Sequence, residues 1–165
     1  MKNIIFIGMP ASGKSTVGVV VAKRLGYDFI DTDLLIQKQE GRLLKDIIAE
    51  VGNEEFLKIE NQVNRDLVTE YAVISPGGSV VYCEEAMHHF KEIGTVVYLK
   101  TSYDDIYNRI SNAKNRGVVL KENQTLKDLY DERVRLFEKY ADYTISEDGL
   151  TLEETIDKVL ELFEK

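Results

Sequence analysis

The run Gly8-Met9-Pro10-Ala11-Ser12-Gly13-Lys14-Ser15 satisfies G-x-x-x-x-G-K-[ST] at every position. Its glycines let backbone N–H groups turn inward around the α- and β-phosphates of a nucleoside triphosphate. A helix opening at the loop adds partial positive charge. Lys14 has the reach to bridge the β- and γ-phosphates, and the Ser15 hydroxyl is a ligand for Mg²⁺. With Ala11, Ser12 and Thr16 these residues form the expected nucleotide cradle. A glycine-rich turn with an exposed lysine is the plainer reading, and context decides against it. The apolar run from Asn3 to Ile7 ends at Gly8, and a helical pattern begins at Lys14. Further on, Asp31-Thr32-Asp33 places two carboxylates at the end of a strand-like run, where open α/β sheets hold their ligands. Such a pair suits metal and hydroxyl handling, and the same triplet is also an ordinary helix N-cap. Phosphoryl transfer unites these groups, because it needs positioning and charge neutralisation more than covalent chemistry.

Alternating strands and helices must position them. After Lys14, Val17, Val20, Val21 and Leu25 recur at helical spacing, and Gly26 stops the helix. Short strands are expected over Asp28 to Asp31, Ala72 to Ser75, Thr95 to Leu99 and Tyr143 to Ile145. Helices are expected to open at Asn53, Ser102 and Thr125, and at the Thr151-x-x-Glu154 capping box. The last of them carries Leu152, Ile156, Val159, Leu160 and Phe163 on one face, so it packs. Strands separated by helices predict a mostly parallel sheet covered on both sides: a single three-layer α/β domain over 1–165. The polar stretch from Asn112 to Asn123 reads as a mobile loop. On the helix from Thr125 to Tyr140, Leu126, Leu129, Tyr130, Phe137 and Tyr140 define an apolar face with Arg133 at its centre. A guanidinium there needs a partner, either a ligand carboxylate or an internal one such as Glu60.

Composition narrows the class. The chain has 165 residues, is 44% hydrophobic, and carries a net charge of −8, which disfavours nucleic-acid backbones and anionic membranes as partners. Cys83 is the only cysteine, which excludes an intrachain disulfide and fits a reducing, cytoplasmic setting. The N-terminal apolar run is too short for a signal peptide, and no run approaches the ~18 apolar residues of a membrane helix. His88-His89 point ~100° apart on a helix and read as surface residues, and Cys83 reads as packing. The guanine-specific N-K-x-D and D-x-x-G motifs of nucleotide switches are absent. A small monomeric kinase acting on a metabolite remains. A nucleoside monophosphate is a poor acceptor, since residues 33–61 hold four basic against seven acidic side chains.

The chain also resembles one family. The loop followed by Thr16-Val17-Gly18, then Phe29-Ile30-Asp31-Thr32-Asp33, Gly41, Gly52-Asn53-Glu54-Glu55-Phe56, Glu60 and Gly77-Gly78 resembles shikimate kinase along its whole length. Arg109, Arg116 and the stretch from Arg133 to Asp142 add to the likeness. The resemblance implies a five-stranded parallel sheet of nucleoside-monophosphate-kinase type, an acceptor-binding helical segment at about 33–61 and a lid at about 111–123. It implies ATP and Mg²⁺ as cofactors, with Lys14 and Ser15 on phosphates and metal and Asp31 near the metal through water. Asp33 would orient or deprotonate the acceptor hydroxyl, Arg116 would close onto the γ-phosphate, and Arg109 would lie by the nucleotide. Gly77 and Gly78 would bring backbone close to the acceptor, with Glu60 and Arg133 framing it.

The chain departs from the pattern on the acceptor side. Where the family has Phe-Arg-x-x-Glu, with the arginine gripping the shikimate carboxylate, this sequence has Phe56-Leu57-Lys58-Ile59-Glu60. Helical phase assigns Phe56, Ile59, Val63 and Leu67 to the core stripe. It puts Leu57 ~100° off that stripe, beside Asn61 and Asn64, as an apolar wall of the acceptor site. Ser79 stands for a third glycine, Gly117-Val118 for Pro-Leu, and Phe137 for a tyrosine. Three expectations therefore stand together: a shikimate kinase that grips the carboxylate otherwise, a kinase for a less anionic acceptor, and a nucleotide-binding regulator without transfer activity.

Overall fold

The computed structural model describes residues 2–112, 120 and 122–164. Five strands, β1 (Asn3–Ile7), β2 (Asp28–Asp31), β3 (Ala72–Ser75), β4 (Gly94–Lys100) and β5 (Tyr143–Ser146), pair in the order β2-β3-β1-β4-β5. Every pairing is parallel, so each connection crosses over through a helix. The helices are α1 (Lys14–Leu25), α2 (Thr32–Glu40), α3 (Leu44–Arg65), α4 (Glu84–Ile93), α5 (Tyr103–Asn112), α6 (Leu126–Tyr140) and α7 (Leu152–Phe163), with a short 3-10 turn over Gly78–Tyr82.

Two-sided burial explains the unbroken apolar runs of the central strands. Ile5, Ile7, Ile74, Val96 and Tyr98 point to one core, shared with Met87, Phe90 and Phe137. Ile4, Phe6, Val73, Val97 and Leu99 point to the other, with Val17, Val21, Ile156 and Val159. The expected three-layer α/β fold is the observed one. From β1 the chain winds first toward β2 and β3, then toward β4 and β5. The crevice beyond the carboxyl end of β1 is thus the switch point where such sheets bind ligands.

The capping boxes at Thr125 and Thr151 form as read, with Asp128 and Glu154 as the reciprocal partners. Ser102 accepts from the Asp105 N–H at 3.3 Å. Asn53 does not open a helix. α3 begins at Leu44 and bends at Gly52, whose φ of 84° and ψ of 171° are open to glycine, so the expected start captured only its second half. α4 follows Cys83, which offers no side-chain cap, so no capping signal announced it. The expected lid at about 111–123 falls mostly on residues outside the described ones, and Arg116, Gly117 and Val118 are among those. No described helix is long and apolar enough to cross a membrane.

Candidate active site

The loop after β1 is built for a phosphate. Gly13 takes φ 88° as the N-cap of α1 and offers no side-chain acceptor, which leaves first-turn N–H groups for an anion. Ala11, at φ 69°, holds a conformation that non-glycine residues seldom adopt, as strained ligand loops do. The buried Ser12 Oγ has no hydrogen-bond partner, an orphan that a bound phosphate oxygen would satisfy. Lys14 is 8% exposed, and its ammonium donates to the carbonyls of Gly8 (3.1 Å) and Met9 (3.0 Å). The cation therefore sits over the loop it serves.

Beside it, the Ser15 and Ser75 hydroxyls are 3.2 Å apart, and Ser75 is the register partner of Asp31 across β2 and β3. These hard oxygen donors fit Mg²⁺. Asp31 Oδ1 also caps α2, accepting from the N–H groups of Asp33 (2.9 Å) and Leu34 (3.3 Å), so the helix-cap reading of the triplet is realised. A cavity of about 290 Å³ continues from the loop, lined by Ser12, Gly13, Thr16, Arg109, Glu147 and Leu150. Arg109 ties α5 to the loop, donating to the Ala11 carbonyl at 2.9 Å. Glu147, which no sequence motif singled out, accepts from the Thr101 hydroxyl, and burial raises its pKa.

A second cluster adjoins the first. A Cβ placed on Gly77 would lie 2.8 and 3.2 Å from the Asp33 carboxylate oxygens and 3.1 Å from Glu60 Oε2. One on Gly78 would lie 2.8 Å from Pro10 Cδ in the phosphate loop and 3.1 Å from Arg133 Nη1. The two glycines thus mark where Asp33, Glu60, Arg133 and the loop converge. Burial, helped by neighbouring Asp31 and opposed by Lys14, pushes Asp33 up to about 6. Burial also raises Glu60 to about 7; the Ser79 hydrogen bond and the Arg133 charge oppose the rise, while Asp33 adds to it. Ser79 Oγ donates to Glu60 Oε1 at 2.6 Å.

Arg133 is 5% exposed at the centre of the inward face of α6, as its phase predicts. Its guanidinium carbon lies 5.5 Å from the centroid of the Tyr82 ring, a residue the sequence did not point to. Its Nε has no hydrogen-bond partner, and among the described residues no ion pair joins it to Glu60. A buried donor of this kind fits a ligand carboxylate.

The expected stripe on α3 needs correction. Full burial follows Phe56, Glu60 and Asn64, while Ile59 and Val63 are only half-buried. The inner face of this helix meets the acceptor cluster and α4, so polar residues occupy it. Asn64 Nδ2 donates to the Glu60 carbonyl at 2.8 Å, and Asn61 Oδ1 accepts from the Ala86 N–H at 3.0 Å. Leu57 does share that face, but it is not off the core: its side chain packs half-buried against the apolar cluster. Its carbonyl accepts the Cys83 thiol at 3.5 Å. Cys83 is buried and its thiol is pushed up to about 12, consistent with packing. His88 is exposed, and His89 Nε2 lies 2.6 Å from the Leu67 carbonyl. Among the described residues no group of three His, Cys, Asp or Glu side chains could hold a metal.

Known proteins share this arrangement. The shikimate kinase family model matches residues 10–164. A shikimate kinase from Thermodesulfovibrio yellowstonii is 37% identical, over 100% of this chain and 96% of its own length. One from Persephonella marina is 34% identical, over 97% and 98% respectively. The structure of the Acinetobacter baumannii shikimate kinase in complex with shikimate superposes with a TM-score of 0.89 at 31% identity, covering 98% of this chain and 92% of that one. Phosphate loop, carboxylate pair and buried arginine thus sit in a fold and sequence shared with those enzymes from end to end, and the chain belongs to the shikimate kinase family.

Proposed function

We propose that the protein phosphorylates a hydroxyl of shikimate, held between Asp33 and Glu60 at Gly77 and gripped at its carboxylate by Arg133. As a member of its family the protein is an ATP-dependent small-molecule kinase that uses Mg²⁺. The nucleotide phosphates lie on the loop N–H groups and Lys14, with Ser15 and Asp31 toward the metal and Arg109 beside the cavity. When bound, Mg²⁺ neutralises charge on the β- and γ-phosphates. The acceptor oxygen attacks the γ-phosphorus, the bond to the β,γ-bridging oxygen breaks, and ADP leaves. The hydroxyl proton passes to Asp33, whose pKa of about 6 suits a base near neutral pH. Arg116, outside the described residues, is assigned by resemblance to the γ-phosphate. Each of these groups comes from one chain, so a monomer suffices.

The observation that carries this reading is the convergence of two raised carboxylates on Gly77, next to a buried guanidinium whose Nε has no partner. Leu57 supports a second reading, an acceptor with less negative charge, because an apolar residue stands where the family presents a cation. Coupled ADP-release kinetics on shikimate and on its uncharged carboxamide separate the two. The first reading requires a preference for shikimate of about tenfold or more in kcat/KM, the worth of one charge-assisted contact. An equal or reversed preference supports the second.

A further inference from the structure

We propose that Ser79 is a positioning residue for the acceptor: its hydroxyl holds the Glu60 carboxylate so that Oε2 faces the acceptor hydroxyls beside Asp33. This rests on the function proposed above. Glu60 is 1% exposed and sits on the inner face of α3. Its side chain takes a hydrogen bond from Ser79 Oγ onto Oε1 at 2.6 Å, while Oε2 is the oxygen turned toward Gly77 and Asp33. One oxygen is anchored and the other presented.

Ser79 is itself well placed to act as a fixed donor. It lies in the first turn of the 3-10 helix, which is closed by the Val80 N–H to Gly77 carbonyl bond (3.2 Å) and the Cys83 N–H to Val80 carbonyl bond (2.8 Å). The segment that brings the Gly77 and Gly78 backbone to the acceptor thus also sets the carboxylate opposite.

The anchor matters because of what else faces Glu60. Asp33 from α2 repels it, Arg133 from α6 attracts it, and the Cys83 thiol lies nearby. On its own helix, Leu57 one turn earlier supplies no charge. Without the Ser79 hydroxyl, repulsion from Asp33 and attraction to Arg133 both drive Glu60 toward the guanidinium. That movement would withdraw an acceptor for substrate hydroxyls and neutralise the cation meant for the substrate carboxylate. Catalysis at a saturated site would survive, and acceptor affinity would not.

The test is paired kinetics of wild type, Ser79→Ala and Ser79→Thr, with the Glu60 carboxyl titrated by ¹³C NMR in acceptor-free protein. Ser79→Ala is expected to raise the shikimate KM about tenfold, with kcat and the ATP KM within about twofold. It should also move the Glu60 midpoint upward, because the lost hydrogen bond favours the ionised form. Ser79→Thr, which keeps the hydroxyl, should restore both. An unmoved Glu60 midpoint, an acceptor KM within twofold of wild type, or an equal loss in ATP KM overturns the proposal. Absence of wild-type turnover on shikimate would count against the proposed function alone, since the titration reads Ser79 and Glu60 without any acceptor.

Discussion

Replacing Gly77 by alanine tests the acceptor site with a single methyl group. Gly77 has φ −65° and ψ 161°, an extended conformation open to any residue, so the change carries no backbone strain. Its Cβ would lie 2.8 and 3.2 Å from the Asp33 oxygens and 3.1 Å from Glu60 Oε2. Carbon–oxygen contacts rarely close below ~3.3 Å, so the nearest oxygen must retreat by roughly half an ångström. Asp33 has little room to do so, because it is a short side chain in the first turn of a helix capped by Asp31. The methyl also occupies the space where both carboxylates meet an acceptor hydroxyl. Hydrogen bonds to charged groups contribute ~1.5–3 kcal/mol each, so losing two costs ~3–6 kcal/mol. The kcat/KM for the acceptor should therefore fall about a hundred- to ten-thousandfold. Nucleotide binding should hold within about twofold, because the nearest atoms to that methyl belong to carboxylates and not to the phosphate loop. Coupled kinetics with varied acceptor, calorimetry with a non-hydrolysable ATP analogue and circular dichroism together make the measurement. A folded Gly77→Ala enzyme with acceptor kcat/KM within threefold of wild type would refute the placement of the acceptor.

Three further outcomes are expected. Lys14→Ala should lower kcat about a hundredfold or more without unfolding the chain, since it removes a preorganised cation from the transferring phosphoryl group; a kcat within threefold of wild type would remove the loop from catalysis. Glu60 holds its proton up to about 7 when folded, against a model value of 4.5, so the folded state binds more protons across that window and stability falls as pH rises through it. The stability of Glu60→Gln relative to wild type should accordingly rise by roughly 3 kcal/mol between about pH 5 and about pH 8, read by denaturant unfolding, and a flat difference contradicts the burial argument. Leu57→Arg should lower the shikimate KM ten- to a hundredfold while destabilising the fold by ~1–3 kcal/mol, because the new side chain gives up a packed apolar contact; unimproved kinetics in a folded mutant would mean that position 57 does not meet the acceptor.

The nucleotide half was legible because its chemistry is mostly backbone chemistry. Gly8, Gly13, Lys14 and Ser15 are contiguous, and the strand before and helix after them follow from period alone. Arg133 was legible for a similar local reason, as a charge in the middle of an apolar helical face. The phase of α3 was not. Glu60 and Asn64 are buried by contacts with Ser79, α4 and the acceptor cluster, partners about 20 residues away in sequence, so a hydrophobic stripe gave the wrong inner face. Tyr82 and Glu147 escaped for the same reason, since each gains meaning from a distant residue: Arg133 for the ring, and Thr101 and the loop for the carboxylate.

Leu57 and Ser79 belong to one argument. An arginine at 57, one helical turn from Glu60, would add positive charge to a pocket that holds Asp33, Glu60 and Arg133. It would also draw the Glu60 proton off at lower pH. With leucine there, Glu60 takes a neutral donor from Ser79 and titrates near 7, so its orientation is kept without a second cation. Under the proposed assignment the acceptor carboxylate then rests on Arg133, whereas the acceptor hydroxyls meet two carboxylates held at fixed positions. Removing a hydroxyl leaves those buried carboxylate oxygens without their donor, which costs more than a contact simply lost. Discrimination in this enzyme should therefore lean on the hydroxyl pattern of the acceptor, with its negative charge a lesser determinant.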